Sequence, residues 1–401
     1  MFRPVILACA LATACASTPP PSRPVPTAQD AALAKRIDTA IEHAIAEQQT
    51  VGVVVLIARD GEIVYHRAAG FADREAKRPV REDTVFRLAS MSKPIVSATA
   101  LALVDQGKLS LDDPVAKWLP EFRPHLADGS EPIITVRHLI THTSGLTYKF
   151  LEPPDGPYHK AEVSDGLAET GLTMDVNLRR LASAPLLHAP GTAWQYSLSI
   201  DVLGAVVARA GGASLPDVVA RLVTGPLKMT DTTFTPTDRD RVAWPYAAGA
   251  PPARMTEPYD MSMGPMGTLR FSPARIFDPA SFPSGGAGMA GTAGDYLKFT
   301  EAIRRGGAPI LKAETARAMA QNQIGNLDVP FLGPGGRFGF GFGIAGEPKP
   351  GGRLAGSFGW GGAYGTGFWA DPTSRLSVVI FTNVAGDTPV GDQIEQAIYA
   401  P

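Results

Sequence analysis

Residues 90 to 107 read SMSKPIVSATALALVDQG. The segment from Ile95 to Val104 is apolar on every side, which predicts a buried helix. Gly107 follows as a candidate C-cap, and Pro94 is tolerated only in the first turn, because a helix interior needs the N–H that proline lacks. The pattern therefore places Ser90 at or just before the amino terminus of this helix.

Ser90 and Lys93 are three positions apart, so their side chains share one face of the helix. A hydroxyl then lies beside an amine, and the positive end of the helix favours negative charge developing on a substrate oxygen. Burial against an apolar helix disfavours the charged ammonium, so that a neutral Lys93 accepts a proton. The structural alternative has Ser90 as a helix cap and Lys93 solvated, but an apolar helix makes a solvated lysine unfavourable.

A second candidate is Tyr196, in the tripeptide Tyr196-Ser197-Leu198. It follows a Pro-Gly-Thr turn at 190–192 and precedes a second apolar helix pattern that starts near residue 200. A tyrosine at such a junction is usually a core aromatic with a satisfied hydroxyl. Beside a lysine ammonium, however, a phenol loses its proton more easily and becomes a candidate general base.

A third candidate is the glycine-rich segment SFGWGGAYG at 357–365. Glycine inside a strand often marks a place where another group approaches the backbone closely, and a substrate carbonyl would be such a group. The alternative interpretation is a bulged edge strand.

Strand and helix patterns come from both ends of the chain. Strands are predicted at 51–58, 63–69, 367–370 and 376–382, and terminal helices at 31–48 and 391–399. We expect an antiparallel sheet built from both chain ends, with helices on its faces and a mainly helical lobe inserted between the halves. Residues 245–286 show little periodicity and predict a long structureless loop that walls the site.

The bulk composition describes an exported globular protein. The 401 residues carry a net charge of −2 with no basic run, which argues against nucleic acid as a partner. Residues 1–16 have a short basic start and an apolar run typical of a signal peptide, with either a loose lipobox ending at Cys15 or ordinary cleavage after a small-x-small site. Residues 17–30 predict a Pro/Ser/Thr-rich tether, and 31–401 the folded domain. Both cysteines, Cys9 and Cys15, lie in the leader, so we expect a disulfide-free domain in the periplasm or on the outer membrane of a bacterium.

Three motifs occur in order: Ser-x-x-Lys at 90–93, Tyr-Ser-x at 196–198 and Trp-Gly-Gly at 360–362. Together they resemble the serine β-lactamase and penicillin-binding-protein superfamily, and are most similar to its class C-like branch of carboxylesterases, the family VIII esterases. The supporting stretches are VFRLA at 85–89, LITHTSGL at 139–146 and GGAGM at 285–289. The resemblance covers the whole domain and implies a β-lactamase-like α+β fold.

The resemblance also implies roles for individual residues. Ser90 would be acylated, and Lys93 and Tyr196 would share the proton transfers, with either of them as the general base. The backbone N–H groups of Ser90 and Ala363 would form the oxyanion hole. Trp360 stands where the superfamily usually carries the lysine of Lys-Thr-Gly.

The departures from the family pattern indicate the substrate. Lactam-binding members commonly use Lys and Thr in the third motif and Asn at the end of the second, where this chain has Trp360, Gly361 and Leu198. These changes remove polar recognition of an anionic amide. We therefore expect Trp360, Gly361, Gly362 and Leu198 to line an apolar pocket for small, short-acyl, uncharged esters.

Two alternatives to a carboxylesterase remain at this point. A β-lactamase or D-alanyl-D-alanine carboxypeptidase on the same scaffold would be favoured by another cation near Trp360. A non-catalytic binding or sensor lipoprotein is disfavoured by the intact set of Ser90, Lys93 and Tyr196.

Other kinds of site lack their sequence patterns. No serine has the flanking glycines of a Gly-x-Ser-x-Gly elbow. His138 and His142 have Leu139 where a zinc site would have Glu, so we interpret both as structural and expect no metal. No nucleotide-binding glycine pattern follows a strand, so no cofactor is expected, and the predicted partner is a small-molecule ester.

Overall fold

An eight-stranded antiparallel sheet forms the centre of the computed structural model, which describes residues 28–264, 267–348 and 350–400. The strands are β1 (Gly52–Arg59), β2 (Glu62–Asp73), β3 (Arg78–Pro79), β4 (Phe86–Arg87), β5 (Tyr246–Ala247), β6 (Ala253–Arg254), β7 (Tyr259–Ser262), β8 (Thr268–Phe271), β9 (Ala290–Gly291), β10 (Arg337–Phe338), β11 (Gly343–Ile344), β12 (Phe358–Gly362), β13 (Thr366–Asp371), β14 (Leu376–Thr382) and β15 (Val384–Ala385). The sheet order is β10-β11-β12-β13-β14-β1-β2-β3, in which β14 pairs with β1. The predicted sheet built from both chain ends is confirmed.

Helices cover both faces of this sheet. They are α1 (Ala28–Ala46), α2 (Ser92–Asp105), α3 (Val115–Trp118), α4 (Val136–Ile140), α5 (Pro157–Lys160), α6 (Met174–Ser183), α7 (Ser199–Gly211), α8 (Leu215–Val219), α9 (Ala293–Arg304), α10 (Ala313–Met319) and α11 (Val390–Tyr399). The terminal helices α1 and α11 pack on one face, and the other face packs on α2 and α9 and, beyond them, on the helical lobe. Because both faces are covered, every residue of β14 is buried, which explains the apolar run at its centre, residues 378–381.

The amino-terminal predictions fall mostly outside the described residues. The signal peptide at 1–16 and most of the tether at 17–30 lie there. Helix α1 begins at Ala28, inside the predicted tether, and its Leu33, Ile37 and Ile41 are buried against the sheet. In the described part of the chain, no single helix has the length and apolarity to cross a membrane, whereas one bent pair, Ser199–Gly211 with Leu215–Thr224, has them in length and composition alone.

The prediction of a structureless loop at 245–286 is wrong. This segment contains β5 to β8, and β5 pairs in parallel with β15 near the carboxyl terminus. Strand β5 depends on this distant partner, and the local pairs β5–β6 and β7–β8 are only two and four residues long per strand, so periodicity does not reveal them. The segment does help to wall the site, because Met263 and Leu269 line the cavity described below.

Candidate active site

Ser90 lies in a single 3-10 turn, Ala89–Met91, that leads directly into α2. Ala89 has a φ angle of 43°, a left-handed conformation that is costly for a residue with a Cβ and is typical of functional turns. The N-cap of α2 is Met91, with no side-chain capping bond, so Ser90 is not the helix cap. Its side chain is half-buried and faces a cavity.

The structure brings Ser90, Lys93 and Tyr196 together. The Nζ atom of Lys93 lies 3.1 Å from Ser90 Oγ, and the Tyr196 hydroxyl donates a hydrogen bond of 2.6 Å to the same oxygen. Lys93 is 0% exposed, so the alternative of a solvated lysine is wrong. Its Nζ also donates to the carbonyl oxygen of Gly286 at 2.8 Å. A hydroxyl with an amine and a phenol in contact has the arrangement that nucleophilic catalysis needs.

Tyr148 is a neighbour of this group that the sequence reasoning missed. Its ring centroid lies 5.3 Å from Lys93 Nζ, and the ring centroid of Tyr196 lies 4.7 Å from the same nitrogen. Burial, followed by the neighbouring Tyr196, Asp201 and Asp165, raises the pKa of Tyr148 well above its usual range. The Tyr148 phenol therefore stays protonated. Its only sequence signal was its position two residues after the Leu146 that ends the LITHTSGL stretch.

Ser90 faces a cavity of about 560 Å³. Trp360, Gly361 and Ala363 line it, as expected, together with aromatic residues that the sequence did not single out, Phe150 and Phe331. The Phe331 ring is 58% exposed and lies at the rim, edge-on to Trp194 at 5.0 Å and to Tyr196 at 5.9 Å. The aromatic walls favour flat or aliphatic groups over strongly hydrated ones.

Two predicted pocket residues do not line this cavity. Leu198 is fully buried in the core, because it immediately precedes α7 and its backbone N–H donates to the carbonyl of Thr147 at 3.2 Å. Gly362 faces inward, where a Cβ would lie 2.2 Å from the carbonyl oxygen of Leu88. The predictions for Leu198 and Gly362 are therefore wrong.

The glycine-rich strand β12 does have a close neighbour, but that neighbour is the protein itself. Gly362 lets β12 approach the Leu88 carbonyl, and Thr366 Oγ1 donates to the same carbonyl at 3.2 Å. Strand β12 lies between β11 and β13, so the edge-strand alternative is wrong. This packing places Ala363 on the same cavity as Ser90, where the oxyanion hole was expected.

Charges around the cavity are few. Among the described residues, Arg353 is the one cationic side chain in its lining, and it is paired with Glu395 at 2.7 Å and stacked on Trp369 at 4.2 Å. Asp165 also lines the cavity, and burial raises its pKa to about 7 although the Lys149 charge opposes that rise. Among the described residues that line the cavity, no unpaired cation is therefore available to hold a substrate carboxylate.

The two histidines have structural partners. His138 completes a capping box at the start of α4, where its Nδ1 accepts from the backbone N–H of Thr135 at 3.3 Å. His142 is fully buried and shares a hydrogen bond of 3.0 Å with the Ser197 hydroxyl. Burial and the charge of Lys93 lower the pKa of His142 well below its usual range, so it is a neutral ring that packs against Tyr196. Within the described ranges, no group of three or more His, Cys, Asp or Glu residues could hold a metal ion.

Comparison with known proteins gives a match over nearly the whole folded domain. The family profile described as Beta-lactamase matches residues 37–400. The chain belongs to the β-lactamase family. This confirms the resemblance drawn from the three motifs, and it makes the chain a serine hydrolase of that superfamily.

Individual members of the β-lactamase family are similar over most of their length. Esterase EstB of Burkholderia gladioli is 47% identical over 378 residues, covering 92% of this chain and 96% of that protein. The solved structure of EstCE1, described as a hydrolase with promiscuous acyltransferase activity, has a TM-score of 0.89 and 40% identity, covering 93% of this chain and 100% of that one. The ML-236A carboxylate methylbutanoyltransferase of Penicillium citrinum is 28% identical over 318 residues, covering 74% and 72%.

Proposed function

We propose that this protein is a carboxylesterase that cleaves small, uncharged esters with short acyl groups through an acyl-enzyme on Ser90. The observation that carries the proposal is the contact of one half-buried hydroxyl with both a buried amine, at 3.1 Å, and a phenol, at 2.6 Å, at the wall of an aromatic cavity. The similarity to Esterase EstB over 92% of the chain supports the ester as the substrate class.

The proposed reaction has two halves. In the first, Lys93 or Tyr196 accepts the Ser90 proton while Oγ attacks the ester carbonyl carbon, and the negative oxygen is stabilised by the backbone N–H groups of Ser90 and Ala363. Collapse of this intermediate breaks the C–O bond of the ester, and the alcohol leaves with the proton held by the base. In the second half, water loses a proton to the same base and attacks the acyl carbon. Ser90 then leaves and is reprotonated.

The charges at the cavity support an uncharged substrate. A β-lactam or an acyl-D-alanyl peptide carries a carboxylate, and the Arg353 guanidinium that could bind it is already paired with Glu395. Asp165 on the same wall has a pKa raised to about 7, and it would repel a carboxylate as it ionises above that pH. A neutral ester avoids both costs.

The direct test compares p-nitrophenyl acetate, butyrate and decanoate with nitrocefin. The wild type is expected to cleave the short esters fastest and nitrocefin slowly or not at all, and Ser90→Ala is expected to cleave none. The matched control is Ser92→Ala, because the Ser92 hydroxyl accepts from the backbone N–H of Met289 at 3.0 Å instead of facing the cavity, so ester cleavage should persist. Ester cleavage that survives in Ser90→Ala would contradict the nucleophile assignment, and fast nitrocefin turnover would contradict the ester preference.

A second activity is favoured by the same relatives. EstCE1 is described as having promiscuous acyltransferase activity, and the Penicillium citrinum relative is named as a methylbutanoyltransferase. We propose that an alcohol held in the apolar cavity competes with water for the acyl group on Ser90. The test is to add 1-butanol to the p-nitrophenyl butyrate reaction and to quantify butyl butyrate by gas chromatography. Release of butyric acid alone would refute this second activity.

Export is a further proposal that rests on the sequence of residues 1–16. The mass of the mature amino terminus from membrane and periplasmic fractions distinguishes its two forms, a lipid-modified Cys15 and an unmodified terminus after ordinary cleavage. An intact Met1 in cytoplasmic material alone would contradict export.

A further inference from the structure

Lys93 has a second polar partner whose position is itself fixed by the fold. On one side its Nζ atom faces Ser90 Oγ, and on the other it donates to the carbonyl oxygen of Gly286 at 2.8 Å. Leu198, the last residue of the second motif, is apolar and cannot hold the amine. The location of Lys93 Nζ therefore depends on the turn that carries Gly286.

Asp201 anchors this turn, which we define as residues 284–287. Asp201 lies in the first turn of α7 and is 1% exposed. Its Oδ1 accepts a hydrogen bond of 2.5 Å from the Ser284 hydroxyl, and Ser284 Oγ in turn accepts from the backbone N–H of Ala287 at 2.9 Å. The Asp201 carboxylate thus holds Ser284 at the start of the turn, and Ser284 holds Ala287 at its end.

The turn also packs closely against Asp201 and the residue before it. A Cβ on Gly286 would lie 2.3 Å from Asp201 Oδ2, and a Cβ on Gly285 would lie 2.5 Å from the backbone carbonyl of Ile200. Only glycine at both positions lets the turn lie this close to the start of α7. The Gly286 carbonyl consequently has little freedom to move away from Lys93.

The electrostatics link the same groups. Burial raises the pKa of Asp201, while the Ser284 hydrogen bond, the charge of Lys93 and the charge of Arg275 oppose that rise. The buried carboxylate and the buried amine therefore influence each other, although Asp201 does not line the cavity that contains Ser90. A buried carboxylate is costly to keep, and the chemistry of ester cleavage does not itself require this one.

We propose that Asp201 is a positioning residue for Lys93: through Ser284 and the Gly286 carbonyl, it holds the amine against the nucleophile. The inference rests on the proposed function of Ser90 and Lys93 as a nucleophile and its proton acceptor. Three hydrogen bonds separate Asp201 from Lys93 Nζ, so its loss should slow the chemical step and leave substrate binding nearly unchanged.

The test uses Ser284→Ala, Asp201→Asn and the double variant in the full-length protein. We expect each single variant to lower kcat for p-nitrophenyl acetate about 10- to 100-fold with KM within about 3-fold. Because both residues act through one chain of contacts, the double variant should be no more than about 3-fold slower than the slower single variant.

The matched control is Asp295→Asn. Asp295 is also a buried aspartate in the first turn of a helix, and its Oδ2 accepts from the backbone N–H of Asp231 at 2.8 Å and the hydroxyl of Thr232 at 3.2 Å. We expect this variant to lose thermal stability and to keep kcat within about 2-fold of the wild type. An equal fall of kcat in Asp295→Asn, or an unchanged kcat in folded Ser284→Ala, would overturn the inference, and the Ser284 result decides if Asp201→Asn does not fold.

Failure of the proposed function would give a different result. The rate at which a fluorophosphonate probe labels Ser90 measures activation of the nucleophile without requiring an ester substrate. A wild type that reacts with the probe but cleaves no ester would refute the carboxylesterase proposal alone. Equal labelling rates in the wild type, Ser284→Ala and Asp201→Asn would refute the positioning role alone.

Discussion

Asp165 provides a quantitative test of the electrostatics of the cavity wall. Its side chain is 7% exposed, and its two oxygens accept from the backbone N–H groups of Lys149 at 2.8 Å and Phe150 at 3.3 Å. Burial raises its pKa to about 7 from an ordinary value of 3.8, against the opposing charge of Lys149. The perturbation is Asp165→Asn, which keeps the shape of the side chain and removes its titration.

The sign and size of the effect follow from linkage. Below pH 3.8, Asp165 is protonated in both the folded and the unfolded chain and contributes no pH dependence. As the pH rises towards 7, the unfolded chain ionises first, so the folded state loses stability. The difference between about 7 and 3.8 corresponds to at most about 4 kcal/mol, and water entering the open cavity screens part of it, so we expect about 2 to 4 kcal/mol.

The assay is urea denaturation of the wild type and Asp165→Asn at pH 4, 6 and 8. The free energy of unfolding of the variant, relative to that of the wild type, should rise by about 2 to 4 kcal/mol between pH 4 and pH 8. Asp128→Asn is a control that should show almost no change over this range, because hydrogen bonds from Ser130 lower the pKa of exposed Asp128 and its titration lies mostly below pH 4. A difference between the wild type and Asp165→Asn that does not change with pH would refute the reasoning.

Three further predictions concern the site itself. Tyr196→Phe removes the 2.6 Å hydrogen bond to Ser90 Oγ. In steady-state kinetics with p-nitrophenyl acetate, kcat should fall about 10²- to 10⁴-fold with little change in KM. A fall in kcat of less than about 3-fold would exclude Tyr196 from proton transfer. Gly362→Ala would put a Cβ 2.2 Å from the Leu88 carbonyl and should lower the melting temperature, measured by differential scanning calorimetry, by about 3 to 10 °C. In the control Gly361→Ala, the nearest neighbour of the new Cβ lies at 3.6 Å, and the melting temperature should stay within about 1 °C of the wild type. Equal effects of the two substitutions would contradict the inward orientation of Gly362. Phe331→Ala removes an exposed rim aromatic and should raise KM for phenyl esters about 2- to 10-fold with little loss of stability, and an unchanged KM would remove Phe331 from the substrate path.

The sequence by itself determined the parts of this protein that depend on neighbouring residues. The apolar helix after Ser90, the β-branched run of β1 with the hairpin turn into β2, and the apolar run of β14 are local patterns, and each gave the correct element to within a few residues. The spacing of Ser90 and Lys93 on one helical face required only helix geometry. The resemblance of three short motifs then connected Tyr196 to the same site.

Only the tertiary structure decided which groups surround those residues. Tyr148 and Gly286 reach Lys93 from positions 55 and 193 residues further along the chain, and Asp201 holds the turn that carries Gly286; no local periodicity reports such an approach. Leu198 and Gly362 were expected in the pocket from their places in motifs, yet Leu198 is buried in the core and a Cβ on Gly362 would meet the Leu88 carbonyl. At a junction between two elements, the direction of a side chain depends on how those elements pack on each other. That packing is a balance between the burial of apolar area and the hydrogen-bonding needs of the backbone, and it exists only in the folded chain.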